Sequence, residues 1–277
     1  MAFLFTSCLP WLLLLFRMGP CEPFQTPNKV QSAVSTQFQQ NVHAERSFSL
    51  SQGCSTSILK IANDTLSCED DLGGSGSLDS LCTLNDSVNL TEDAIVVGEG
   101  SLILSDNVYL SCPVRGCTIL INLSGEIFLE ANSSIVAGTI MIDAQNVVLA
   151  SNSSLNTTAL AGSPPPQTSG TPLGLDGAGG GYGGRGAFCV KGDGKDQEDS
   201  WGGDVYSWSS LSAPWSYGSQ GGTTSREEDL GGGGGGRILV ATAWLNVDGA
   251  ILADGGYAGV DGGGGSGGSI LIKVSVL

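Results

Sequence analysis

The sequence has a single histidine, His43, and only 11 lysines and arginines against 27 acidic residues. One histidine and the absence of any CxxC pair argue against a tetrahedral zinc centre. A net charge of −16 excludes the basic surface that nucleic acid or an anionic bilayer requires. It is compatible with calcium or with cationic partners and selects neither. No GxxxxGK[ST] loop is present, so the glycine-rich stretches are not read as a nucleotide phosphate site, and no cofactor is expected. Beyond residue 21 nothing approaches the roughly 20 apolar residues of a bilayer span, and no transmembrane segment is predicted after the N-terminal one.

That N-terminal segment, 1–21, reads as a signal peptide. Phe3-Leu-Phe5 and the run Leu9–Phe16, broken only by Pro10, form an apolar core of signal length, and Gly19-Pro-Cys21 supplies small residues for cleavage. Arg17 follows the core instead of preceding it, a departure from the usual pattern. Cleavage removes Cys8 and Cys21 and leaves six cysteines: Cys54, Cys68, Cys82, Cys112, Cys117 and Cys189. An even number in a secreted chain points to disulfides over metal. Cys112-Pro-Val-Arg-Gly-Cys117 is spaced for a bridge across a turn, but the whole connectivity is one of fifteen. Seven Asn-x-Ser/Thr sequons, at Asn63, Asn85, Asn89, Asn122, Asn132, Asn152 and Asn156, predict N-glycans on exposed turns.

Four regions follow the signal. Residues 22–55 are polar and aperiodic and are expected to form a poorly ordered leader. In 56–160, Val88-Asn-Leu90, Val108-Tyr-Leu110, Ile127-Phe-Leu129 and Val147-Val-Leu149 recur at intervals of 20, 19 and 20. A second series, Ser101–Leu104, Thr118–Ile121 and Thr139–Ile142, lies between them, so each period holds two short strands. A fixed period with short strands and no helical pattern predicts an all-β fold, a parallel β-helix or solenoid, with a β-sandwich as the alternative. Residues 161–236 interrupt the repeat with prolines, glycine tracts at 177–186 and 231–236 that cannot pack a core of their own, and aromatic residues. Residues 237–277 return to strands: Arg237–Val240 and Ser269–Ile272 lie 32 residues apart. Asp-Gly pairs mark the turns between them, with glycine expected at positive φ or at close backbone approaches. The sequence stops at Leu277 directly after a strand, which suggests a continuation.

One set of words is distinctive. Gly183-Gly-Arg-Gly-Ala187, Trp201-Gly-Gly-Asp-Val-Tyr-Ser-Trp-Ser-Ser210, Pro214-Trp-Ser-Tyr-Gly-Ser219, Gly221-Gly-Thr-Thr-Ser-Arg-Glu227, Gly231–Gly236, Ala253-Asp-Gly-Gly256 and the run Gly262 to Ser269 follow one another in that order. Together they resemble a family of large plant glycine-rich secretory-pathway proteins, over about 177–272. The resemblance implies a signal peptide, a β-rich ectodomain and membrane spans near the far end. This chain is similar to an N-terminal portion of such a protein. On that reading it is extracellular or in the cell wall, and membrane-attached where it is part of a longer chain. The resemblance carries no catalytic residues.

Candidate chemistry is sparse. Glu69-Asp-Asp71 and Glu227-Glu-Asp229 are acidic runs, but no histidine or Arg-x-Lys stands beside them to complete a polysaccharide-cleaving site, and they read as solvated loops. Gly255-Gly-Tyr-Ala-Gly-Val-Asp261 is close to a calcium-binding nonapeptide, but its aspartate is one residue late and the unit does not repeat, so a turn is favoured. The best binding candidates are aromatic: Trp201, Tyr206, Trp208, Trp215 and Tyr217, whose flat rings suit sugar faces. Their other reading is a loop that packs onto the strands. The expected function is that of a secreted or cell-surface structural or adhesive glycoprotein, not an enzyme, with other extracellular proteins as partners. The alternative is a protein that binds or acts on cell-wall polysaccharide.

Overall fold

The computed structural model describes residues 65–170, 177–187, 202–206, 213–223, 231–260 and 262–275. The signal, the leader, His43, Cys54, Asn63, Cys189, Trp201, Trp208, the acidic run 227–229, Asp261 and Leu277 lie outside them. Among the described residues the chain is all-β, with no α-helix and one short 3-10 turn at Pro166–Thr168. The strands are β1 Ser75–Gly76, β2 Leu81–Leu84, β3 Val88–Asn89, β4 Ala94–Gly98, β5 Ser101–Leu104, β6 Tyr109–Ser111 and β7 Thr118–Leu123. They continue as β8 Glu126–Leu129, β9 Ser134–Val136, β10 Thr139–Leu149, β11 Ser154–Asn156, β12 Arg237–Val247, β13 Ala250–Leu252 and β14 Ser269–Val274.

Apart from the antiparallel pair β1–β2, every pair is parallel, and the pairs fall into three ladders. β4, β7, the first half of β10, the first half of β12 and β14 form one ladder. β2, β5, β8 and the second halves of β10 and β12 form another. β3, β6, β9, β11 and β13 form the third, in a separate sheet. Because β10 and β12 each run through two ladders, those two share one sheet.

Parallel pairing in register stacks like on like. Strand alternation points every second side chain inward, and the inward residues form columns. Ala94, Ile119, Ile140 and Ile238 make one, and Val96, Ile121, Ile142 and Val240 its neighbour. Leu84, Leu104, Leu129 and Leu149 fill the second ladder, and Leu110, Ile135 and Leu155 the third. All of these except Ala94 are fully buried, each contributing about 1.5–3 kcal/mol by leaving water. At the corner between the second and third ladders, Asn107, Asn132 and Asn152 hold positive φ of 63°, 57° and 59°, a region asparagine tolerates better than most residues.

Three expectations change. The strands fall into three ladders, not the two series read from the sequence. Ile127 does pair with Val147, and Arg237 with Ser269, at the predicted spacings. Val88, however, pairs with Leu110, not Val108, and the residue one step before Ile127 in its ladder is Leu102. Successive rungs differ by 20 residues between β2 and β5 but by 25 between β5 and β8. Corners absorb the difference, and short apolar triplets on different ladders look alike in sequence. Gly249 and Gly255 of the Asp-Gly pairs are not left-handed either; positive φ falls instead at Gly73, Gly76 and Gly116. Gly249 is glycine because a methyl there would sit 2.2 Å from the Ser153 carbonyl oxygen.

At the N-terminal end the first strands of two ladders are covered, while the outer edge of β3 in the third pairs with no other strand among the described residues. The Leu66 amide donates to the Ile95 carbonyl at 2.8 Å, Leu72 and Leu78 are buried over the columns, and a Cys68–Cys82 disulfide fastens the segment to β2. A loop of this length contributes about 3 kcal/mol in the chain-entropy account. The second disulfide, Cys112–Cys117, is the bridge anticipated from spacing.

Leu129→Ala is expected to lower stability by about 2–5 kcal/mol in equilibrium denaturation, with a clearly smaller loss for Phe128→Ala, whose side chain faces outward; equal losses would contradict the inward columns. Asp143, outward on β10 beside Asn122 and Ala241 in register, is half-buried, and burial pushes its carboxyl above the ordinary range. A carboxyl raised by folding costs stability as pH rises from the ordinary aspartate pKa through the raised one, and costs nothing below both. Asp143→Asn is therefore expected to stabilise the protein near neutral pH and to change nothing in strong acid, as read by denaturation midpoints at the two pH values.

Candidate functional site

The insertion between β11 and β12 holds the aromatic candidates, and its described part packs through its glycines. The tract Gly231–Gly236 is fully enclosed by other backbones. The amides of Gly232 and Gly235 donate to the carbonyls of Gly263 at 2.9 Å and Ser266 at 2.8 Å. The carbonyls of the same two residues accept from Gly221 at 2.9 Å and Gly218 at 2.8 Å. Gly233 accepts from Gly256 at 2.7 Å, while Gly234 accepts from Ala161 at 2.9 Å and Gly236 donates to Thr157 at 2.8 Å. One neighbour thus runs parallel to the tract, a second runs antiparallel, and further backbone lies on the remaining sides. Equivalent contacts recur every three residues, the period of an extended polyproline II chain.

Such a lattice has no room for side chains. A methyl group would sit 2.1 Å from the Gly256 carbonyl oxygen at Gly232, 2.0 Å from that of Gly218 at Gly234, and 2.1 Å from that of Ala253 at Gly235. The lattice extends outward through Gly222 donating to Ala178 at 2.7 Å and Gly203 donating to Gly179 at 2.9 Å. The glycine tracts do pack, contrary to expectation: backbone takes the place of side chains, and each hydrogen bond contributes about 0.5–1.5 kcal/mol. Nothing in the residue order announces which glycine meets which.

The lattice positions the aromatic residues. Tyr206, only 4% exposed, donates from Oη to the Tyr217 carbonyl at 2.7 Å, and its Oη lies 2.7 Å from Ser219 Oγ. Ser219 Oγ donates to Thr168 Oγ1 at 2.6 Å, which donates to the Pro165 carbonyl at 2.6 Å. Tyr182 meets the Tyr206 ring edge-on, with centroids 4.6 Å apart, and its hydroxyl hydrogen-bonds Ser269 Oγ. A ring this enclosed has no face for a sugar, which removes Tyr206 from the carbohydrate candidates. Trp215 and Tyr217 flank Arg237 at the start of β12: its guanidinium carbon lies 4.7 Å and 4.3 Å from the two ring centroids. Arg237 Nε also donates to Thr139 Oγ1 at 3.1 Å, and Thr139 Oγ1 lies 2.7 Å from Tyr217 Oη. The aromatic segment is thereby clamped to β10 and β12. Sequence reasoning singled out the rings but missed Arg237 and Thr139; both open strands of the same ladder, directly in register.

Beside this clamp is a cleft of about 360 Å³, reached by Glu92, Asp93, Arg115, Cys117, Ser163 and Tyr217. The Cys112–Cys117 bridge shapes one wall, and the Gly116 amide ties that loop to the Leu160 carbonyl at 2.9 Å. Arg115 Nη1 donates to Gln220 Oε1 at 3.1 Å, and Asp93 Oδ1 accepts from the Thr118 amide at 2.8 Å. Carboxylates that accept, a guanidinium that donates and the edge of a tyrosine ring make a surface suited to a polyhydroxylated ligand.

The remaining candidates are dispersed. In the run 69–71, Asp71 accepts from the Ser67 amide at 2.7 Å and from Ser67 Oγ at 2.8 Å, bonds that hold its carboxyl below the usual range in an exposed turn. Among the described residues, no group of three or more His, Cys, Asp or Glu side chains could hold a metal ion, and no helix is long and apolar enough to cross a membrane. Of the sequons, Asn85, Asn132 and Asn152 are exposed between strands and Asn89 is exposed but within β3, whereas Asn122 and Asn156 lie half-buried within β7 and β11, not on turns. Comparison with protein-family models, with curated proteins and with solved structures gives no match.

Gly235→Ala is expected to cost about 1–3 kcal/mol by overpacking and to expose 213–223 to protease. Gly264→Ala, where a methyl meets nothing within 4 Å, is expected to change stability by less than about 0.5 kcal/mol. Equal sensitivity at the two positions would refute the lattice.

Proposed function

We propose that the chain is a secreted, glycosylated structural or adhesive protein of the cell surface or wall, without enzymatic activity. Its described part is read as a β-solenoid of three-stranded coils carrying a glycine-lattice insertion. The parallel ladders support this over a β-sandwich, whose sheets are antiparallel. The single observation behind the structural role is the internal use of the aromatic segment: Tyr206 is buried and Trp215 and Tyr217 hold Arg237. Groups employed this way brace the insertion against the strands. The N-terminal signal pattern and the seven sequons support the secretory route, and the resemblance to plant glycine-rich proteins supports the wall or, in a longer chain, membrane attachment. Other extracellular proteins are the partners this role implies.

The cleft beside Tyr217 favours a second reading, a carbohydrate-binding or carbohydrate-active wall protein, because Glu92, Asp93 and Arg115 converge there. Protein secreted from a plant expression host separates the two. On the structural reading it loses mass on enzymatic removal of N-glycans and neither retains nor cleaves wall polysaccharides. Retention that falls about tenfold on Glu92→Ala or Trp208→Ala, or the release of oligosaccharide, would replace the structural reading with the second. Secreted protein whose mass is unchanged by deglycosylation would remove glycosylation from the proposal.

A further inference from the structure

The connections from the third ladder to the first all leave the stack at one corner: 90–93, 112–117, 137–138, 157–236 and 253–268. They build the cleft beside Tyr217. Thr91, Glu92 and Asp93 come from the first of them, 114–117 from the second, and Gly162, Ser163 and Tyr217 from the fourth. The third is two residues long, and the fourth reaches past it to the second, where the Gly116 amide donates to the Leu160 carbonyl at 2.9 Å.

One sequon shares residues with this cleft. Asn89 is exposed on β3, the last residue before the connection 90–93, and its sequon ends on Thr91, itself a cleft residue. Asn89 stands in register with Ser111, the last residue before the connection 112–117. Its Oδ1 accepts from Ser111 Oγ, so the side-chain amide is held between the two strands that feed two walls of the cleft. The nitrogen of that amide is the atom that carries an N-glycan. From Asn89 to Thr91 the chain spans at most about 7 Å, less than the reach of the two-sugar core of a glycan.

We propose that the cleft holds the chain's own N-glycan, attached at Asn89, an assignment that rests on the glycosylated reading above and names the occupant of the cleft. Three observations select a tethered sugar over a free polysaccharide. The chemistry suits a sugar, since the Glu92 carboxylate accepts from hydroxyls and the Arg115 guanidinium donates to them. The volume, about 360 Å³, is at the lower end of the roughly 300–1,000 Å³ of ligand pockets, which fits a short run of sugar rings and not a polysaccharide. Finally, every lining residue except Cys117 is exposed or half-buried, so the cleft is shallow and holds a free sugar weakly. Attachment two residues away supplies the high effective concentration that such a site needs. Asn132 and Asn152 are exposed at the corner between the second and third ladders, away from the cleft, and their glycans serve as internal standards.

Timed endoglycosidase digestion of the native, secreted full chain, read site by site by mass spectrometry, tests this. Loss of the Asn89 glycan is expected to be about tenfold slower than loss at Asn132 or Asn152. Glu92→Ala is expected to bring Asn89 to their rate without changing theirs. Glu92 is exposed, so its replacement leaves the fold intact, which circular dichroism checks. A second variant does not depend on digestion. Asn89→Gln empties the cleft and is expected to bind the enzymatically released glycan of the wild-type protein in a calorimetric titration, whereas the wild type and the double variant Asn89→Gln with Glu92→Ala do not. An unmodified Asn89 beside glycosylated Asn132 and Asn152, equal digestion rates, slow digestion indifferent to Glu92→Ala, free glycan bound by the wild type, or no binding by Asn89→Gln would each overturn the proposal and leave the secreted structural reading in place. Glycan at none of the sequons would overturn it together with the glycosylated reading.

Discussion

Every segment described here depends on one requirement, that a backbone carrying an amide and a carbonyl at each residue must find partners along its whole length. Parallel pairing in register meets it for the strands. Once Thr139 is set beside Thr118 and Arg237 beside Thr139, the rest of each strand follows and the inward residues fall into columns. Columns of leucine and isoleucine then exclude water from the same hydrogen bonds. The insertion does not disturb this register. The chain leaves after β11 and re-enters at β12, with Asn156 opposite Leu252 and Thr139 opposite Arg237.

Within the insertion the same requirement is met without side chains. Glycine loses more conformational freedom on ordering than any other residue, so a glycine lattice is a costly thing to assemble alone. Here it is anchored on both sides. Thr157 and Ala161 of the stack bond directly to Gly236 and Gly234. Arg237, the first residue of β12, lies between Trp215 and Tyr217 and ties the aromatic segment to Thr139. The hydroxyls of Thr168, Tyr206 and Ser219 satisfy one another where the lattice would otherwise bury them alone, and no buried side-chain polar atom among the described residues lacks a partner. Trp215 and Tyr217 are the large side chains that reach from the insertion to Arg237 and Thr139 of the strands.

The parts legible in the sequence were those with local signals. Short apolar runs marked the strands, and the recurrence of Ile127–Leu129 at Val147–Leu149 reproduced the register of one ladder. The spacing of Arg237 and Ser269 did the same for β12 and β14. Cys112 and Cys117 were close enough to be paired by sight. Val88 and Val108 misled because their triplets look like those at Ile127 and Val147 while lying on the third ladder, a distinction made only by the corners. The candidate site was legible as a set of rings but not as an arrangement, since its other members, Arg237, Thr139, Glu92 and Arg115, come from distant segments with no motif in common.

By itself, then, the sequence determined the all-β character and most strand positions, because alternation and repetition are written residue by residue. It also marked where side chains had to be absent. Which backbones those glycines admit and which of the three ladders each triplet joins were decided only in three dimensions. A glycine has no side chain with which to specify its neighbour, so its partner is chosen by whatever the folded strands bring within hydrogen-bonding distance.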